Sequence, residues 1–236
     1  MPRSDAVVLA LSGGMDSTSL LGYLLESGFK TVYCCRFWYG SKHNEYENRA
    51  GERVLEYYRE RHPGVIPVAP MDLTEVMRSF DSALLRSSLE EIPEGHYAAT
   101  NMKRTVVPCR NLIFASILAG FAESVDVRYI ALGVHSGDHY IYPDCRPDFI
   151  ESLAETIRQA TENKVDLTVP FLYDDKESIL RYGLFAKVPV PYHLTRTCYK
   201  QQEVSCGVCG SCTERLEAFE RVGIRDPIEY EVRNGC

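Results

Sequence analysis

The chain has 236 residues, a formal net charge of −7, and hydrophobic and charged fractions of 45% and 25%. That length can bury one full core with a small appendage, and the acidic balance argues against a protein whose main affinity is for a long phosphate backbone, while leaving small anionic ligands open. No apolar run approaches the roughly 20 residues of a membrane helix and the first residues lack signal-peptide architecture, so a cytoplasmic protein is expected, with no membrane partner and no direct nucleic-acid binding.

The run Ala6-Val7-Val8-Leu9-Ala10-Leu11 reads as a buried parallel strand. Behind it stands Ser12-Gly13-Gly14-Met15-Asp16-Ser17, and a helical pattern then continues to Gly28. Strand, Gly-rich turn and helix is a geometry that holds phosphate, because backbone N–H groups converge where the helix N-terminus adds partial positive charge. The spacing is neither that of a Walker loop nor that of a dinucleotide fingerprint.

Residues 31–37 read as a second strand, 44–61 as a helix and 65–68 as a third strand. Residues 72–104 are irregular, with a short helix expected around 75–85. Residues 111–122 are apolar nearly all round, which predicts a buried helix. A fourth strand at 129–133, a helix at 147–161, a fifth strand at 167–170 and short helices at 176–182 and 213–221 complete the pattern. Such alternation predicts an α/β fold, a parallel sheet with helices on both faces.

Of nine cysteines, Cys198, Cys206, Cys209 and Cys212 cluster, whereas Cys34, Cys35, Cys109, Cys145 and Cys236 are scattered. A disulfide framework would not be distributed so. Four thiolates satisfy tetrahedral Zn²⁺ and leave no open position, so a structural zinc site is expected. An iron–sulfur cluster is the rival reading.

The phosphate loop resembles that of ATP pyrophosphatases. Together with Phe37-Trp38-Tyr39-Gly40-Ser41-Lys42-His43, Val107-Pro108-Cys109-Arg110-Asn111, residues Tyr142 to Phe149, Asp175-Lys176-Glu177 and the cysteine cluster, the chain resembles the 7-cyano-7-deazaguanine synthase family over nearly its whole length. The resemblance implies an adenine nucleotide alpha hydrolase-like, Rossmann-like domain at 1–190 with a zinc-binding segment at 191–236 packed on it, and a homodimer. It also implies an ATP-dependent ligase with Mg²⁺. Such an enzyme adenylates 7-carboxy-7-deazaguanine, forms the amide with ammonia, and converts the amide to the nitrile.

On that resemblance Leu11, Ser12, Gly13, Gly14, Asp16, Ser17 and Thr18 bind ATP, and Asp16, Arg110 and Lys176 are the catalytic candidates. Asp16 either caps the helix or holds a metal-bound water. Asp138, Tyr142, Asp144 and Arg146 are the substrate candidates, with Asp144 or Asp138 expected to read the guanine-like N–H edge. His43 is weighed between nucleotide contact and structure, and His135 and His139 as proton carriers. Cys145 is expected to be a packed residue rather than a nucleophile. The chain departs from the family pattern at Ser41, Cys109 and Tyr140-Ile141, the last adding bulk near the expected base site. These departures leave a second acceptor open, a protein amine such as an N-terminus, as in synthase-like ligases of bacterial antiviral systems.

Overall fold

The computed structural model describes residues 1–232, so Cys236 and the end of the 191–236 segment lie outside the described residues. The elements in chain order are β1 (Arg3–Ala10), α1 (Met15–Glu26), β2 (Thr31–Cys35), β3 (Phe37–Trp38), α2 (Asn44–Arg59), β4 (Val65–Pro67), β5 (Met71–Asp72) and α3 (Thr74–Met77). They continue as α4 (Arg110–Ser124), β6 (Val127–Ala131), α5 (Pro147–Ala160), β7 (Asp166–Thr168), α6 (Lys176–Phe185) and α7 (Gly210–Val222), with short 3-10 turns between.

Five strands form one sheet in the order β4-β2-β1-β6-β7, and every pairing is parallel. Strand β1 is central and buried, and its side chains alternate between two cores. Val8 packs with Ala115 and Leu118 of α4 and Ile150 and Leu153 of α5. Val7 and Leu9 pack with Leu20, Leu21 and Leu24 of α1 and Val54, Leu55 and Tyr58 of α2. Helices therefore cover both faces, as the alternation predicts. After β1 the chain moves out through β2 to β4, then crosses to β6 and β7 on the other side. The carboxyl ends of β1 and β6 thus flank a switch point, where open α/β sheets leave a crevice.

Three expectations are corrected. The second strand is not continuous to residue 37. It breaks at Arg36, whose buried guanidinium donates to Asn48 O and Glu52 Oε1 at 3.2 and 3.0 Å, and Phe37–Trp38 pairs instead with β5 in a separate two-stranded sheet. The helix around 75–85 stops at Met77, because the following backbone pairs elsewhere. Ala83 N–H donates to Arg104 O and Lys42 N–H to Leu84 O, each at 2.7 Å. Finally, α4 is not buried all round. Ala115, Leu118, Ala119 and Ala122 are buried, Leu112, Ile113, Phe114, Ile117 and Phe121 only partly, and Ser116 and Gly120 are exposed.

Thr100–Ser124 is, by length and composition alone, long and apolar enough to cross a membrane. Its continuous α-helical part is only the 15 residues of α4, about 22 Å at 1.5 Å per residue, against about 30 Å of hydrocarbon. One side of that helix is engaged on the sheet.

The C-terminal segment is held by a buried ion pair. Arg215 is fully buried on α7. Its Nε and Nη2 donate to the Asp226 carboxylate at 2.7 and 3.0 Å, Nη1 to Thr195 Oγ1 at 2.7 Å, and Nη2 to Tyr192 O at 3.1 Å. This clamp fixes α7 against the stretch that runs from Tyr192 toward the cysteine cluster. Replacing Asp226 with Ala strands a buried guanidinium. Denaturant unfolding of Asp226→Ala should show a loss of about 3–5 kcal/mol.

Candidate active site

The loop after β1 is shaped by its own side chains. Gly13 has φ +79°, and a Cβ there would come 2.3 Å from Gly51 N of α2, so only glycine fits. Ser12 Oγ accepts from Gly14 N–H at 3.2 Å and lies 3.0 Å from Ser17 Oγ, which accepts from Ser12 N–H at 3.2 Å. Gly14 is the N-cap of α1 and brings no capping side chain, so the first N–H groups of α1 stay available to an anion.

Asp16 does not cap that helix. From its first turn it reaches Lys176 Nζ at 3.2 Å, with His135 Nε2 at 3.7 Å. Its Oδ1 is buried and has no hydrogen-bond partner among the described residues. Thr18 is fully buried beneath the loop, and its N–H donates to Gly14 O at 3.1 Å. Its side chain shapes the support of the loop rather than the cavity surface.

A cavity of about 210 Å³ opens over this loop. Leu11, Ser12, Gly14, Asp16 and Ser17 form its floor, and Arg110, Asp138 and Lys176 enter its walls. Lys176 is buried at the start of α6 and donates to Glu214 Oε2 at 2.7 Å. Burial disfavours its ammonium, but Asp16 and Glu214 outweigh that and hold its pKa above the usual lysine value. Burial likewise works against the Asp16 carboxylate, and Lys176 and His135 bring its pKa below the usual range nevertheless. Both groups are charged at neutral pH.

His135 Nδ1 accepts from Gly137 N–H at 3.1 Å. Its Nε2 faces Asp16 Oδ2 at 3.7 Å and Asp138 Oδ2 at 3.6 Å. Gly137 makes room for this cluster, since a Cβ there would lie 2.4 Å from Glu214 Oε1.

The opposite wall is aromatic and basic. Phe37 and Phe114 stack at 4.0 Å, and Arg110 lies over the Tyr39 ring at 5.9 Å. His43 and Glu47 enter from α2, and Arg196 and Tyr199 from the stretch leading to the cysteines. Burial, with Arg110 and Arg196 nearby, brings the His43 pKa down to about 3. Burial pushes the Glu47 carboxyl up to about 7, against the pull of the same two arginines.

The other substrate candidates stand outside the cavity lining. Asp144 Oδ2 accepts from Asn111 N–H at 2.8 Å, at the start of α4. Tyr142 OH lies 2.8 Å from Thr105 Oγ1 and 3.3 Å from Tyr199 OH. Arg146 Nε donates to His139 O at 3.1 Å. Cys145 is buried on the cavity wall and receives Asn111 Nδ2 at 3.1 Å; burial keeps its thiol protonated. Ile141 is buried and Tyr140 exposed, and neither lines the cavity.

The four clustered cysteines are buried, with their sulfurs all within 4.8 Å of one another. Cys206 Sγ and Cys212 Sγ are 3.9 Å apart, close to the edge of about 3.8 Å in a tetrahedron with metal–sulfur bonds of about 2.3 Å. Backbone N–H groups of Cys206 and Lys200 point at Cys198 Sγ, each at 3.4 Å, the donor set that a thiolate needs. These residues fit a tetrahedral metal. The centre also touches the cavity. Cys198 lines it, Arg196 N–H donates to Gly13 O at 2.9 Å, and Glu214 follows Cys212 on α7.

Sequence reasoning passed over Glu47, Arg196 and Glu214. A signal existed for one of them: His43, Glu47 and Gly51 share a helix face at i, i+4 and i+8. The Glu47 shift gives a pH test. Between the ordinary carboxyl value of 4.5 and about 7 the folded state holds the extra proton, so this group's contribution to stability falls as pH rises. His43, lowered from 6.5 to about 3, contributes the opposite slope over its own window. Glu47→Gln removes only the first. Its urea midpoint relative to the unaltered protein should rise steadily from about pH 5 to about pH 8, and a flat difference would show that the carboxyl ionises normally.

Known proteins place this chain in a family. The model for queuosine biosynthesis protein QueC matches residues 5–223. The 7-cyano-7-deazaguanine synthase of Caldicellulosiruptor saccharolyticus is 42% identical over 225 residues, covering 95% of each chain. That of Pseudoalteromonas atlantica is 41% identical, covering 95% of this chain and 98% of its own. Among solved structures, the U34-tRNA thiolase NcsA from Methanococcus maripaludis with its 4Fe-4S cluster aligns with a TM-score of 0.47 at 15% identity, over 99% of this chain and 77% of that one. With a family match running nearly end to end and identities above 40% over 95% of its length, the chain belongs to the QueC family of queuosine biosynthesis proteins.

Proposed function

We propose that this chain is a 7-cyano-7-deazaguanine synthase that uses two ATP to turn a carboxylate into a nitrile. The observation that carries this reading is the buried Lys176 ammonium, 3.2 Å from Asp16 at the lip of the phosphate loop. A cation fixed there, with the open N-terminus of α1, offsets charge that develops as diphosphate leaves. The carboxylate oxygen of 7-carboxy-7-deazaguanine attacks the α-phosphorus of ATP; the new O–P bond replaces the bond to diphosphate. Ammonia attacks the acyl carbon, AMP departs and a proton is lost, leaving the amide. The amide oxygen then attacks a second α-phosphorus. Loss of diphosphate, of both amide protons and of AMP yields the nitrile. Arg110, on the aromatic wall, is suited to neutralise phosphate charge.

Asp16, with its unpartnered buried Oδ1, and Asp138 are the carboxylates that would hold Mg²⁺ brought with ATP, whose charge helps neutralise the phosphates. The cysteine centre suits Zn²⁺, which closes four thiolate positions and needs no redox partner. The half-covered apolar face of α4, with Leu112, Ile113, Ile117 and Phe121, supports a homodimer. Residues 1–190 then serve as the ATP-pyrophosphatase unit, with the segment from 191 onward as the metal-binding wall of the site.

Ammonia is the acceptor favoured over a protein amine, because Tyr140 and Ile141 add no bulk to the cavity. Metal-loaded protein given ATP, Mg²⁺, 7-carboxy-7-deazaguanine and ammonia should release two AMP for each nitrile, read by mass spectrometry. A deazaguanine amide on a protein N-terminus, with no nitrile, would move the reading to the ligase. Lys176→Met should lower kcat by roughly 10²–10³-fold.

A further inference from the structure

The cavity contains a carboxylate that the reaction above does not use. Glu47 stands on α2 between His43 and Gly51, and its Oε2 is buried with no hydrogen-bond partner among the described residues. His43 Nε2, one turn back, is 3.6 Å away, beyond hydrogen-bond reach. That imidazole is itself uncharged at neutral pH, since its pKa is brought down to about 3. A buried acceptor in this condition is unfavourable until a donor arrives. Here it opens onto a cavity whose neighbouring walls are the rings of Tyr39, Phe114 and Tyr199. A flat ring bearing N–H groups would satisfy both the walls and the carboxylate.

We propose that Glu47 reads the amidine edge of a guanine-type base, accepting the ring N–H and the exocyclic amino group in one paired contact. This rests on the deazaguanine acid being the substrate. The two adjacent donors of that edge match the two oxygens of a carboxylate. The edge of adenine offers one donor and one acceptor, so the same carboxylate would meet a lone pair. The rival acids are engaged elsewhere. Asp144 accepts from the start of α4. Asp138 stands 3.6 Å from His135, in the cluster with Asp16 and Lys176 on the β6 side of the phosphate loop. The reacting carboxylate must lie on that side, near the cation. The amidine edge is at the other end of the bicyclic ring, and Glu47 comes from the β2 side.

Calorimetry on the metal-loaded full chain at about pH 8, above the Glu47 pKa of about 7 so that the carboxyl is ionised, tests this without turnover. The titrants are 7-carboxy-7-deazaguanine, its analogue lacking the 2-amino group, and ATP. The proteins are the unaltered chain, Glu47→Gln and Glu47→Leu, the near-isosteric Gln variant guarding against a folding defect. The unaltered chain should prefer the amino-bearing acid by about 10- to 100-fold. Both variants should compress that preference to about threefold or less while binding ATP normally. An undiminished preference in the variants overturns the inference and leaves the synthase reading standing. Lost ATP affinity with an intact preference assigns Glu47 to adenine and overturns it also. If the unaltered chain binds neither acid, the substrate assignment fails, and this reading of Glu47 fails with it.

Discussion

The site is organised by one buried ammonium. Lys176 Nζ is shared between Asp16, from the phosphate loop, and Glu214, from the helix that carries the last clustered cysteine, at 3.2 and 2.7 Å. A lysine buried to this degree would lose its proton or leave the site without compensation. Two carboxylates from opposite ends of the chain keep it charged. Their geometry ties α1, α6 and α7 together beside the loop that follows β1. An isolated surface pair would contribute little. This one is buried, so losing any member leaves an uncompensated charge in a poorly solvated place.

The same arrangement brings the four clustered cysteines beside the loop that follows β1. A metal held by four cysteines would have no position left for substrate, so its influence would be mechanical. It would fix the stretch from Arg196 to Tyr199 and the start of α7. Those residues supply the hydrogen bond to Gly13 O, one aromatic wall and Glu214. The Arg215–Asp226 clamp supports the segment from the other side. The C-terminal segment is therefore part of the cavity wall, and its cysteines share a hydrophobic core with the strands of the sheet.

The cavity is divided chemically between the two flanks of β1. Carboxylates, His135 and the lysine gather on the β6 side. Arg110, stacked rings and a high-pKa carboxyl gather on the opposite wall. Such a division suits a substrate with an anionic reacting group at one end and a neutral, donor-bearing ring at the other.

The strand, the phosphate loop with its helix, the α/β alternation and the metal-capable cysteines were legible in the residues. Each is a local pattern whose physics acts within one or two turns of chain. The break at Arg36, the curtailed helix after Met77 and the half-exposed α4 were not legible, because each depends on a partner distant in sequence: Glu52 and Asn48, Arg104, and the area of sheet available to cover a helix. The same limit applies to the site. Asp16, Arg110 and Lys176, named from their motifs, line the cavity; Asp144 accepts from the start of α4 outside its lining; Glu47 had only a helix-face spacing to mark it, and Arg196 and Glu214 had no motif at all. Sequence alone determined which segments bury a face and which loop can hold phosphate, since periodicity and short-range sterics fix both. Only the tertiary structure decided which charges meet across the cavity, because the burial that sets their pairing and their pKa values exists only once the sheet, α2 and α7 have closed around it.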